Sequence, residues 1–194
     1  MKRPMAAPAA LALSAALILA GCSSEDDAMP GMDHGSSEQA ADVNDADIMF
    51  ASMMIVHHEQ AIEMSDIVLA QDGVAPEVIE LAEAIKTAQG PEIDQLRGWL
   101  DDWGVDPDDQ GADGMDHGDG MMSEEDLAAL EAADGAEASR LFLEQMIVHH
   151  EGAVAMARAE VDDGRNPDAV ELARGVIDAQ TTEIQEMNDL LAAR

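Results

Sequence analysis

Two short stretches of this 194-residue chain set imidazoles beside thioethers at one fixed spacing. Met54-Ile55-Val56-His57-His58-Glu59 is repeated as Met146-Ile147-Val148-His149-His150-Glu151, and each copy closes on a further methionine, Met64 and Met156. Thioether suits Cu(I), whereas imidazole suits Cu(I), Cu(II) and other late divalent ions, so the pattern is a mixed soft and borderline donor set. A single His pair on an apolar helix face is ordinarily a hydrogen-bonded part of a core, and a methionine there is ordinarily packing. The duplication shifts that balance. Four imidazoles in one small core are costly to bury unless they share a partner, and a bound cation supplies one by taking the free nitrogen lone pairs.

The two remaining His residues follow the same association. Gly31-Met32-Asp33-His34-Gly35 recurs as Gly114-Met115-Asp116-His117-Gly118, followed by Met121-Met122. Met32, His34, Met115, His117, Met121 and Met122 are therefore auxiliary metal candidates on Gly-flanked segments. Such a segment binds more weakly than a preformed site because the chain must be ordered. Other chemistries lack their residues: the chain holds neither Glu-x-x-His nor His-Glu-x-x-His, so di-iron carboxylate and zincin protease sites find no support.

The elements that carry these residues are helical. Two Phe, two Trp and no Tyr stand against 14 Met and 47% apolar residues, so the core must come from Ala, Leu, Ile, Val and Met, which favours helices. A first helix is expected from Asp45 to about Gln71, capped by Asn44 or Asp45 and broken at Asp72-Gly73. On its wheel Phe50, Met54, Ala61, Ser65 and Val68 centre the inward face, His57 and His58 flank it, and Met64 lies at its edge. Glu59 and Glu63 fall on the opposite, solvent side. Pro76 opens a second helix with apolar residues from Val78 to Trp103 at helical spacing, in which Gly90-Pro91 predicts a kink or break. Ser123 and Asp126 predict a capping box for a short helix to about Asp134. A long helix from about Ala136 to Val161 and a last one from Pro167 complete the chain.

The halves align throughout. The offset of 92 in the His motif becomes 91 beyond the loop, where Ala88-Gln89 matches Ala179-Gln180 and Glu92-Ile93 matches Glu183-Ile184. Hairpin repeats of about 45 to 104 and 136 to 194, joined by a Met/His/Gly/Asp-rich linker and short helix at 105 to 135, predict an all-α four-helix bundle over 45 to 194.

The start of the chain reads as an address. Lys2 and Arg3 precede an apolar run ending in Leu19-Ala20-Gly21-Cys22, which looks like a bacterial lipoprotein signal over residues 1 to 21 with the lipid on Cys22. Residues 22 to 44 then form an acidic tether, and the expected location is extracytoplasmic, anchored to the bilayer through Cys22. The only cysteine is spent on that anchor, so soft ligation falls to methionine. A formal charge of −33 excludes nucleic acid as a partner and leaves metal ions as the natural ones.

Two copies of M-I-V-H-H-E-x-A-x-x-M, each followed by a helix carrying Q-x-x-E-I, resemble the bacterial domain-of-unknown-function family 305. That resemblance implies a ferritin-like four-helix bundle, extracytoplasmic copper binding and a link to copper tolerance, over about Asp45 to Arg194. It also implies Met54, His57, His58 and Met64 with Met146, His149, His150 and Met156 as ligands. The family's Q-x-x-E-I-x-x-M pattern adds Met187 after Gln180, Glu183 and Ile184, whereas the first copy has Gly90-Pro91 inside the pattern and Leu96 in the Met place. Copper, as Cu(I) or Cu(II), is the expected cargo, with a copper transporter as a conceivable recipient and no catalytic residues assigned. The alternatives are a ferritin-like di-metal oxidase and a metal-free helical interaction module.

Overall fold

The computed structural model describes residues 43–105 and 120–193. Among them are five helices and no strand: α1 (Asp45–Leu69), α2 (Pro76–Trp103), α3 (Glu124–Ala132), α4 (Gly135–Asp163) and α5 (Pro167–Ala192). α1 packs along α2, α4 along α5, and the two hairpins join through α1 and α4, giving a four-helix bundle with α3 laid against α1 and α4.

Local chemistry sets the helix ends. The Asn44 side chain accepts from the amides of Ala46 (3.0 Å) and Asp47 (3.1 Å), while Asp47 accepts from the Asn44 amide at 2.6 Å, a reciprocal cap that satisfies three otherwise orphan donors. Ser123 and Asp126 make the same box at the start of α3. Pro76 and Pro167 open α2 and α5, where a missing N–H costs nothing. α1 stops at Leu69, one turn-residue pair short of the expected Gln71.

Of the two expectations at Gly90-Pro91, the break does not occur: α2 is one helix from Pro76 to Trp103 with Pro91 inside it. Two features explain it. A proline clashes chiefly with the Cβ of the residue before it, and Gly90 has none. Pro91 also lies on the exposed face, where water can satisfy the Thr87 carbonyl that loses its donor, while Ile85, Ile93 and Leu96 anchor the buried face on either side.

The apolar core comes in two parts. One holds Ala61, Met64 and Val68 of α1 with Val78, Leu81 and Ile85 of α2, Leu130 of α3, Phe142, Leu143 and Met146 of α4, and Met187 of α5. The other holds Phe50, Ala51 and Met54 of α1 with Ile93, Leu96 and Leu100 of α2, Ala153 and Ala157 of α4, and Ala173 and Val176 of α5. On every long helix the gap between the two parts falls on polar residues. His57 and His58 fill it on α1, Gln89 on α2, His149 and His150 on α4, and Gln180 on α5, all of them buried.

Candidate metal centre

This polar layer contains the sequence motif and more. The rings of His57 and His149, equivalent residues of the two repeats, meet between α1 and α4 with centroids 3.7 Å apart and planes inclined by 41°. Contact between equivalents is what an approximate two-fold axis through the bundle requires. The outer pair obeys the same symmetry: His58 Nε2 lies 2.7 Å from Glu92 Oε2, and His150 Nε2 lies 2.6 Å from Glu183 Oε2. Each carboxylate therefore reaches in from the second helix of its own hairpin.

Those contacts fix the useful lone pairs. An Nε2–H held by a carboxylate leaves Nδ1 as the acceptor nitrogen, the arrangement that orients histidines toward metal ions. Among the described residues no side chain pairs with Nδ1 of His58 or of His150, or with either nitrogen of His57 or of His149. Six buried ring nitrogens are thus partnerless. The side-chain oxygens of Gln89 and Gln180 in the same layer are likewise unmatched. Burial, reinforced by the neighbouring imidazoles of His58 and His150, lowers the pKa of His57 to about 3. His149 is pushed lower still, first by burial and then by the other three imidazoles. Both rings are neutral at physiological pH and keep a lone pair available.

The donors suit a soft or borderline cation. No three His, Cys, Asp or Glu side chains among the described residues converge as a ready metal site. An ion here would take imidazoles in smaller sets and complete its shell with thioethers. Met64, Met146 and Met187 lie in the core part on one side of the layer, and Met54 lies in the part on the other side, all fully buried.

Met156 departs from the inward position expected for it and is only half-buried at the edge of the second core part. α3 explains the difference from its counterpart Met64, because Leu127 and Leu130 cover the end of the bundle that holds Met64 and no equivalent helix among the described residues covers the other. Met121 and Met122, immediately before α3, are half-buried. Cys22, Met32, His34, Met115 and His117 lie outside the described residues. Glu59, Glu63 and Glu151 are exposed, as the wheel requires. Glu92 and Glu183 are the site residues that the ligand search by motif missed. Their signal was present in the repeat itself, where both fall on the Q-x-x-E match between the second helices.

A four-helix bundle of two duplicated hairpins, closed around a central layer of paired histidines, defines a class. The chain belongs to the domain of unknown function 305 (DUF305) family, whose model matches residues 47–191. A candidate secreted DUF305 protein from Streptomyces coelicolor is 35% identical, with a TM-score of 0.69 over 76% of this chain and 93% of that one. A DUF305 fragment from Deinococcus radiodurans is 29% identical, with a TM-score of 0.70 over 78% and 99%. CopM in its Cu(I)-bound form is 31% identical, with a TM-score of 0.63 over 76% and 96%, and CopM also matches in Cu(II)-bound and Ag-bound forms. Among curated proteins no sequence matches the chain.

Proposed function

We propose that this protein is a lipid-anchored, extracytoplasmic copper-binding protein that captures or buffers copper through His and Met side chains, without catalysis. The observation that carries this reading is the central layer, where six partnerless ring nitrogens are buried between methionine-bearing core segments. Unpaired polar groups at that density destabilise a fold, and a bound cation relieves the part of the penalty carried by the nitrogen lone pairs. His57 and His149 with His58 and His150 would hold the ion or ions, and Met54, Met64, Met146 and Met187 are the thioethers nearest in the core. Once bound, copper would gain a low-dielectric site that excludes water, and Glu92 and Glu183 would keep the outer imidazoles in the coordinating tautomer.

The copper-bound and silver-bound forms of CopM support the choice of metal. The secreted Streptomyces coelicolor relative supports a place outside the cytoplasm, in line with the Cys22 signal. No helix among the described residues is long and apolar enough to cross a membrane. A di-metal oxidase fits less well, since Glu92 and Glu183 are engaged by histidines rather than free to bridge two ions. The test is an anaerobic Cu(I) titration against a chromophoric chelator, comparing wild type with the His57→Ala/His149→Ala variant. Tight binding lost in the variant supports the reading, and equal stoichiometry and affinity in both would sink it.

A further inference from the structure

The two hairpins are fastened to each other crosswise, and the two fastenings differ. The start of α1 is held by the turn between α4 and α5, where Asp47 Oδ1 accepts from the amides of Arg165 and Asn166 and Asn44 Nδ2 donates to the Asp163 carbonyl at 2.8 Å. The start of α4 is held by the turn between α1 and α2. There Ser139 Oγ accepts from the Ala75 amide at 3.0 Å, and the Gly135 amide donates to the Asp72 carbonyl at 2.8 Å. By the offsets of the duplication Asp47 is the counterpart of Ser139, and Asn166 that of Ala75. A hydroxyl does at one end what a carboxylate does at the other, so the fastening itself requires no acid.

One end nevertheless carries a second acid. Glu160 stands where the other repeat has Val68, and both are enclosed, at 1% and 0% exposure. No group among the described residues donates to either Glu160 oxygen, so its bond to Asp47 is made with its own proton. The carboxyl also lies under the turn, because a Cβ on Gly164 would overlap Glu160 Oε1. Asp47 is the charged group that acts on it, whereas Asp45 of α1, Asp101 of α2, Asp163 of α4, Arg165 of the turn and Asp168 of α5 are exposed. Burial, and then the hydrogen bond and charge of Asp47, raise the Glu160 pKa to about 8.

An ionised Glu160 has no place in this arrangement. Its charge would face the Asp47 carboxylate in an enclosed space, and moving to water relieves that repulsion. To reach water it must lift the turn at Gly164, which draws the Arg165 and Asn166 amides away from Asp47. We propose that Asp47 and Glu160 form a proton-operated latch: with the shared proton in place the start of α1 is fastened to the α4–α5 turn, and loss of the proton releases that end of the bundle while the Ser139 fastening stays closed. Phe50 and Ala157, one turn further in on α1 and α4, belong to the second core part and lose cover when it opens. The latch acts apart from the histidine layer, since His57 and His150 each lie ten residues along their helices from it, about 15 Å.

Amide exchange followed by NMR on the metal-free full chain carrying Cys22→Ser tests this, with each rate expressed relative to the unprotected rate at the same pH. Asn166 reports the acid latch and Ala75 its neutral counterpart. An opening that takes a carboxyl from a pKa of about 8 to its ordinary 4.5 grows about tenfold per pH unit in between. Protection of Asn166 is therefore expected to fall about tenfold per unit from pH 6 to 8, and that of Ala75 to stay level. Glu160→Val, which installs the residue of the other repeat, is expected to make Asn166 level too. Asn166 protection that stays constant in the wild type overturns the latch. A parallel fall at Ala75 also overturns it, because the proton would then act on the whole fold, and so does a fall that persists in Glu160→Val. The two wild-type amides decide the matter even if that variant does not fold.

Discussion

His57 and His149, 92 positions apart in the chain, meet at 3.7 Å between centroids in the middle of the bundle, and no side chain among the described residues hydrogen-bonds to either ring. A core built for stability would not do this. Leaving one buried polar group unsatisfied costs about 1–3 kcal/mol, and this layer repeats the offence on both helices. His57→Leu/His149→Leu, which replaces both rings by apolar groups of similar bulk, should therefore raise the Tm of the metal-free protein, by roughly 5 °C on the usual size scaling. The same variant should lose the Tm increase that Cu(I) gives the wild type. Scanning calorimetry with and without the ion checks both, and a lower metal-free Tm would mean that the imidazoles are structural members of the core.

Glu92 and Glu183 act one step further out. Each holds the Nε2 of a buried histidine while remaining partly open to solvent itself, with relative exposures of 27% and 22%. Glu183→Gln keeps the shape but weakens acceptance of the Nε2–H, so His150 loses its preference for the tautomer with a free Nδ1. Cu(I) affinity should fall by about 10–100-fold with little change in fold, the usual effect of removing an orienting carboxylate behind a ligand. Chelator competition and circular dichroism on the single variants and on Glu92→Gln/Glu183→Gln measure the two effects separately. Unchanged affinity in the double variant would show that these carboxylates only satisfy a buried donor.

Much of this was legible in the sequence because the duplication recorded it twice. Helix order, the Asn44 and Ser123 caps and the inward faces of α1 and α4 follow from periodicity and capping chemistry, which are local. The continuity of α2 was not legible, since Gly90-Pro91 reads as a breaker, whereas the missing Cβ of Gly90, the exposure of Pro91 and the packing of Ile85, Ile93 and Leu96 on the far face let the helix continue. The His58–Glu92 and His150–Glu183 pairs were hidden for a related reason. A wheel assigns residues to faces of one helix, whereas these contacts span two helices at separations of 34 and 33 residues. The half-exposure of Met156 depends on where α3 lies, and the repeat, which has no second α3, gives no hint of it.

The Gln60 side chain holds both backbone groups of Met122, at 2.9 and 2.7 Å, and Gly120 two residues earlier lies against α4, which predicts a defect from a single added methyl group. Gly120→Ala forces a Cβ to within 3 Å of the α4 backbone from a left-handed conformation, and neither neighbour can move without bending the helix. Residues 120 to 122 should detach, freeing Gln60. Hydrogen exchange of the Met122 amide, protected in the wild type by the Gln60 carbonyl oxygen, should rise toward the rate of an open loop, while amides in the middle of α5 stay protected. Protection of Met122 equal to wild type would show that the Gly120–Gly152 approach is incidental.

At the end of the bundle away from α3, Asp47 and Glu160 form a buried acid pair that governs the alkaline limb of stability. Asp47 Oδ1 accepts from the amides of Arg165 (2.9 Å) and Asn166 (2.8 Å), tying the start of α1 to the turn between α4 and α5. Glu160 is 1% exposed and has no donor at either oxygen, so it can bond to Asp47 only by keeping its own proton. Burial first, and then the hydrogen bond and negative charge of Asp47, raise its pKa to about 8. The folded form thus holds a proton that the unfolded chain releases near pH 4.5, and its contribution, complete below that pH, is lost as pH rises to about 8. His57 and His149 run the other way. Neutral in the fold and protonated when unfolded below about pH 6.5, together they withdraw stability as pH falls, at twice the slope of the single glutamate, which opposes them between pH 4.5 and 6.5. For these three groups the metal-free optimum lies near pH 6.5, with slopes of equal size on either side between pH 4.5 and 8 and a steeper fall only below pH 4.5. Urea denaturation from pH 4 to 9 should trace that shape, and Glu160→Gln should flatten the alkaline side and steepen the acid side between pH 4.5 and 6.5. A wild type whose stability keeps rising from pH 6.5 to 8 would mean that Glu160 is ionised in the fold.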